Sequence, residues 1–263
     1  VLKPDLSWIS KSDITENLKT QLNEIHGNRN QGNNYYIALN NPAGNPIFSH
    51  ESSYEKMSYP DAGFRLLSLY RYWNIIQYYF PNRHLTDKKW DMILNEYIPK
   101  FLNAKDELGY ELATLQVIGE INDSHANLWE GGDKIANLRG NRFAPFKAKF
   151  IENKFVVVDY FNAEHSKSAK VKIGDVITHI NGKSITSLID SLRPYYPASN
   201  RAAMLRDISI DLLRTQKNKI SIKYISDTGL QQAEVPTYEI EELQMYYWHK
   251  VNVNEKSYKL LDA

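Results

Sequence analysis

Within the first 160 residues the hydrophobic period of the chain changes from that of a helix to that of a strand, and this change fixes the class of fold open to it. Leu66, Leu69, Trp73, Ile76 and Phe80 step by three and four residues until Pro81 stops the run. Trp90, Leu94, Tyr97 and Phe101 repeat the spacing in "TDKKWDMILNEYIPKFLNA", with Thr86 or Asp87 as the starting cap and Pro99 set to bend or break the last turn. Leu108, Leu112, Leu115 and Ile118 form a third stripe. These runs predict a small bundle of three amphipathic helices.

Beyond the connector "GGDKIANLRGN" the pattern alternates. "FAPFKAKFI" and "KFVVVDYF" read as strands joined at "EN", the second apolar enough for burial on both faces. "VKIGDVITHINGKSI" follows, where Asn181-Gly182 signals a tight turn because both residues tolerate positive φ. A helix from about Asn200 to Arg214 carries Leu205, Ile208 and Leu212, and strands "KISIKYIS" and "LQQAEVPTY" flank "DTG". The fold class is therefore α+β, helices first and sheet second.

The first 60 residues offer less. "DITENLKTQLNEI" predicts one short helix capped by Asp13 with Leu18, Leu22 and Ile25 on a face; "HGNRNQGNN" breaks it, "YYIALN" reads as a strand, and an Asn, Pro, Gly and Ser-rich stretch follows. The organisation expected is an irregular segment over 1–60, a helical domain over 61–132, a strand-rich domain over 141–238 and a linker over 239–263. A length of 263 residues accommodates two modest domains. With 32 Lys+Arg against 31 Asp+Glu, no global field attracts nucleic acid, and no run of about 18 apolar residues spans a membrane. The absence of cysteine removes disulfides, thiol nucleophiles and thiolate metal sites.

Chemistry concentrates in "EINDSHANLWEGG", Glu120 to Gly132, where Ser124 and His125 sit at the end of the third helical run. An imidazole in reach of a hydroxyl takes its proton and returns it later, which a serine nucleophile requires at neutral pH. The plainer alternative is a polar residue closing a helix. Histidines at 26, 50, 84, 125, 165, 179 and 249 show no ligand spacing, so no metal site is expected, and neither a phosphate loop nor a G-x-S-x-G elbow is present. No cofactor is implied.

Strand, strand, "KIGDVITHINGKSI", helix and strand, over about Asn141 to Tyr238, resembles a PDZ domain of the bacterial protease type, whose hallmark is Gly-Asp before an apolar strand and an Asn-Gly or Asp-Gly turn. A helical segment ending in an acidic-x-His motif directly before it resembles the front of an S41 family peptidase, a C-terminal processing or tricorn-like protease. The adjacent Ser124-His125 pair is similar to the tricorn-like branch. The resemblance implies a helical bundle followed by a PDZ-like, partly open β-barrel with one or two helices. It implies His125 as general base, with Ser124 assisting by orienting a glutamate or the imidazole, toward a nucleophilic serine in an α/β domain beyond this chain.

Peptide or protein substrates and an exported, periplasmic or cell-surface location are further implications. A PDZ-like groove implies peptide binding along Phe146, Ala148 and Phe150 and across Met204, Leu205 and Ile208, although Ala144-Pro145-Phe146 stands where carboxylate-binding glycines are expected. A non-catalytic PDZ-like peptide-binding scaffold is the alternative function.

Overall fold

A computed structural model describes residues 4–243 apart from 41, 43, 130 and 131, so most of the expected linker, with His249, lies outside the described residues. The chain forms two compact units, Val1–Ile121 and Asn122–Ala263. The fold is α+β: the described residues hold helices and antiparallel sheets, none closed.

The first unit begins with α1 (Ser7–Lys11) and α2 (Glu16–Gly27). Thr15 rather than Asp13 caps α2, its hydroxyl accepting from Leu18 N, because the capping oxygen must precede the first free amides directly. No described residue of α2 is buried, and Leu18 and Ile25 are exposed, so its stripe does not enter this unit's core. β1 (Ile37–Asn40) and β2 (Asn45–Phe48) pair as a hairpin inside the stretch expected to be largely irregular.

The core of this unit comes from α3 (Ala62–Tyr79), α4 (Trp90–Asn103) and α5 (Glu107–Gly119). Asp61 caps α3 and Asp106 caps α5, each through a carboxylate on the third residue's N–H. Leu69, Ile76, Trp90, Tyr97, Phe101, Leu115 and Ile118 of the helical stripes are buried, the other stripe residues are half-buried, and on α4 Ile93 is enclosed in place of Leu94. Neither Thr86 nor Asp87 caps α4, whose N-cap is Lys89. Pro99 does not break it either: the helix continues to Asn103, held by Tyr97 and Phe101 buried on either side of the missing donor.

One buried cation locks the end of that helix. Arg65 donates Nε to Phe101 O at 2.8 Å, Nη2 to Leu102 O at 3.1 Å and Nη1 to Pro60 O at 2.6 Å. Two carbonyls that α4 leaves open at its negative end are thereby satisfied by a positive charge from α3.

The second unit opens with α6 (Asp133–Arg139), a short helix inside the stretch read as a connector. It ends at Gly140, whose φ of 93° and close approach to the Thr215 backbone leave no room for a Cβ. β3 (Arg142–Phe143), β4 (Phe146–Ile151) and β5 (Lys154–Tyr160) follow. Glu152 and Asn153 both take positive φ, the backbone of a tight hairpin turn. β5 is not uniformly buried: Phe155 and Val157 are enclosed while Val156 and Val158 are half-buried.

After α7 (Ala163–Ser166) comes β6 (Val176–Ile180), and here the Gly-Asp signature has a physical cause. Gly174 adopts φ 99° in a turn whose Asp175 carboxylate accepts from Lys172 N at 2.8 Å, while Gly174 N donates to Val157 O. Asn181 and Gly182 take φ of 48° and 81°, as their tight turn requires, leading to β7 (Lys183–Ser184). α8 (Ile185–Leu192), not among the elements expected, is capped by Ser184 and carries Ile185, Leu188, Ile189 and Leu192 at helical spacing; α9 (Arg201–Asp211), β8 (Arg214–Thr215), β9 (Lys219–Ser226), β10 (Gly229–Pro236) and β11 (Tyr238–Glu239) complete the unit. The main sheet runs β10-β9-β6-β5-β4, with β7 pairing β6, and a small sheet β11-β3-β8 lies apart. Phe146, Phe155, Ile177, Ile208, Ile220 and Ile222 form its core. Burial also pushes the Tyr196 phenol well above its usual range, with the Asp211 carboxylate beside it acting the same way.

Arg65→Ala, by stranding the α4 carbonyls, is expected to destabilise the first unit by about 2–4 kcal/mol, read as a lower urea midpoint. An unchanged midpoint would show that water serves those carbonyls equally well.

Candidate functional site

The stretch after α5 turns sharply, since Asn122 takes φ 53°, a conformation asparagine tolerates better than most residues. Asp123 then gathers the turn around its carboxylate. Its Oδ1 accepts from the His125 backbone N–H at 2.9 Å and lies 3.0 Å from His125 Nδ1, and its carbonyl accepts from Ala126 N at 3.0 Å. The backbone N–H of His125, opposed by partial burial and aided by the ring, holds the Asp123 carboxyl below the usual carboxylate range.

The imidazole itself stands in solvent, with its side chain 97% exposed. With Nδ1 donating to the carboxylate, the neutral ring presents Nε2 as its acceptor, and Nε2 makes no hydrogen bond with a described residue. The indole N–H of Trp129 donates to His125 O at 3.2 Å, a further tie within the turn. Among the described residues no cluster of three or more His, Asp or Glu is placed to hold a metal.

Ser124, to which the resemblance gives the role of orienting a glutamate or the imidazole, is hydrogen-bonded to Ser199. Its Oγ accepts from Ser199 N at 3.0 Å and lies 3.3 Å from Ser199 Oγ, while Ser124 N donates to the same Ser199 hydroxyl at 3.1 Å. Three contacts thus clasp the histidine turn to the segment just before α9, and the turn groups with the second unit. Asp123, whose spacing from His125 passes for a helix-end acid in the sequence, is the orienting group. The Asp-x-His spacing was the available signal: an aspartate two residues before a histidine readily reaches both its N–H and its ring.

A second feature lies beside β4. Among the described residues β4 pairs with β5 alone, so it is an edge, and α9 packs along it. Between them runs a groove of about 920 Å³. Phe146, Ala148, Phe150 and Leu205 are among its lining residues, and Met204 and Ile208 are not. From α9 the groove is lined by Arg201, Ala202, Leu205, Arg206, Asp207, Ser209 and Ile210, with Leu213 just past the helix.

No protein-family model matches the chain, and no curated protein matches it in sequence. Among solved structures it is similar to a serine-to-alanine mutant of CPAF, with a TM-score of 0.50 and 14% identity over 71% of this chain and 38% of that one. Mature CPAF gives 0.48 and 16% over 67% and 34%, and the photosystem II D1 C-terminal processing protease gives 0.35 and 14% over 66% and 43%. At these identities the likeness to the CPAF mutant is one of fold. The chain spans well under half the length of each of these structures. Among the described residues no helix is long and apolar enough to cross a membrane.

The Asp123–His125 contact is expected to hold the neutral ring as its Nδ1–H tautomer, visible in imidazole ¹⁵N shifts, and Asp123→Asn should erase that bias. Because the Asp123 pKa is lowered, the contact should survive acidification through the ordinary carboxylate range and fail only below it. An Nε2–H tautomer in the unaltered chain would contradict the geometry.

Proposed function

We propose that this chain is the helical and PDZ-like front portion of an S41-type serine peptidase, supplying the general base to a nucleophilic serine carried by a part of the protein outside it. The observation that carries the reading is the exposed imidazole of His125, oriented through Nδ1 by Asp123 with Nε2 turned to solvent. A buried or undirected ring would fit a structural histidine better. The fold likeness to the CPAF mutant, and the Gly174-Asp175 and Asn181-Gly182 turns of the second unit, support the same assignment.

In this reading His125 Nε2 takes the serine hydroxyl proton as the serine oxygen bonds to the substrate carbonyl carbon. It then delivers that proton to the leaving amine as the carbon–nitrogen bond breaks, and water repeats the sequence to release the acyl group. Asp123 stabilises the imidazolium and fixes the tautomer. The clasp of Ser124 to Ser199 keeps the base in place. The open edge of β4 receives an extended peptide by strand addition, the side chains of alternate residues entering the groove against α9.

The same edge and groove also favour a second reading, a PDZ-like scaffold that binds peptides without cleaving them. The two part on one experiment with the complete protein. His125→Ala should lower kcat by about a hundredfold or more with little change in KM, and Asp123→Asn should lower kcat as well. Unchanged turnover in both would assign the proton to another group and leave the scaffold reading standing.

A further inference from the structure

The groove beside β4 has features that narrow what it accepts. We infer that it selects internal segments of extended polypeptide whose alternate, outward-facing side chains are acidic; this rests on the strand-addition reading above and deepens it.

The head of the groove excludes a chain terminus. Capture of a terminal carboxylate needs free backbone N–H groups where the edge strand begins. Here Ala144 N is spent on Leu213 O at 3.0 Å, Pro145 has no N–H, and Arg142 and Phe143 are paired with β11 on one side and β8 on the other. A peptide along β4 therefore meets no carboxylate cradle and runs past this end as an internal segment.

Side-chain alternation sets the rest. Ala148 and Phe150 face the core and groove, so Lys149 between them stands on the opposite face of the strand and is exposed. A strand added beside β4 places every second residue against Phe146, Ala148, Phe150 and Leu205, an apolar lining. The residues between lie beside the face that carries Lys149.

Charge decides their sign. Of the cations lining the groove, Arg206 is paired with Asp207 at 2.8 Å and Lys147 lies 3.7 Å from Asp159. Lys149 from the strand and Arg201 from the start of α9 make no ion pair with any described residue. Glu152, at the hairpin tip, is the remaining lining acid. Of the two, Lys149 stands on the outward face, where its unpaired charge complements carboxylates, and surface pairing of this kind discriminates by charge more than it adds raw affinity.

The test uses the chain with labelled, end-blocked octapeptides that alternate Val with Glu, Gln or Lys, read by fluorescence anisotropy. At low salt the Glu peptide should bind about three- to tenfold more tightly than the Gln peptide, a margin that shrinks at high salt. A Lys149→Glu variant should reverse the order in favour of the Lys peptide while its circular dichroism stays unaltered. Equal binding of the Glu and Gln peptides would overturn the acidic selection and leave the groove intact. Tighter binding of a Glu peptide with a free C-terminus would overturn the internal-segment assignment. Failure of all three peptides to bind would overturn strand addition itself.

Discussion

Because the imidazole of His125 is almost wholly in solvent, its position depends on the hydrogen bonds that clasp Ser124 to Ser199. No hydrophobic contact can hold a side chain that exposed, so the backbone beneath it must be fixed instead. The Ser199 contacts anchor one side of the turn to the lead-in of α9, and the Asp123 carboxylate gathers the other. Exposure and order are reconciled in this way, a combination a base needs when its partner arrives from outside the unit.

The same lead-in connects the two candidate features of the second unit. α9 begins at Arg201, two residues after Ser199, and its next turns form one wall of the groove along β4. The opposite wall is a strand that, among the described residues, is unpaired on one side, normally a liability that proteins cover or blunt. Lys147 and Lys149 on that strand are charges of the kind that blunt pairing with a second copy.

Much of this was legible in the sequence because periodicity reports burial. The stripes of α3, α4 and α5 bury Leu69, Ile76, Tyr97, Phe101 and Leu115, and the Asn181-Gly182 turn has the positive φ values its residues favour. What was not legible depended on contacts distant in the chain or on an offset of one residue. Ser124 pairs with a serine 75 residues away, which no local pattern encodes. On α9 spacing alone does not separate groove from core: Leu205 belongs to both, while Met204 and Ile208 belong to the core and not to the groove lining. Pro99 persists in α4 because buried neighbours outweigh a lost hydrogen bond. α6 is short and sits in a Gly-rich stretch, whereas α8 was legible, its Ile185, Leu188, Ile189 and Leu192 falling at helical spacing behind Ser184.

The central claim is that His125 meets a serine supplied from beyond this chain, and the most direct measurement is a structure of the complete protein inhibited covalently at its nucleophile. The account predicts His125 Nε2 within about 2.6–3.2 Å of the modified serine oxygen, with Nδ1 still on Asp123. A modified serine facing a lysine instead, with His125 out of hydrogen-bond reach, would contradict it.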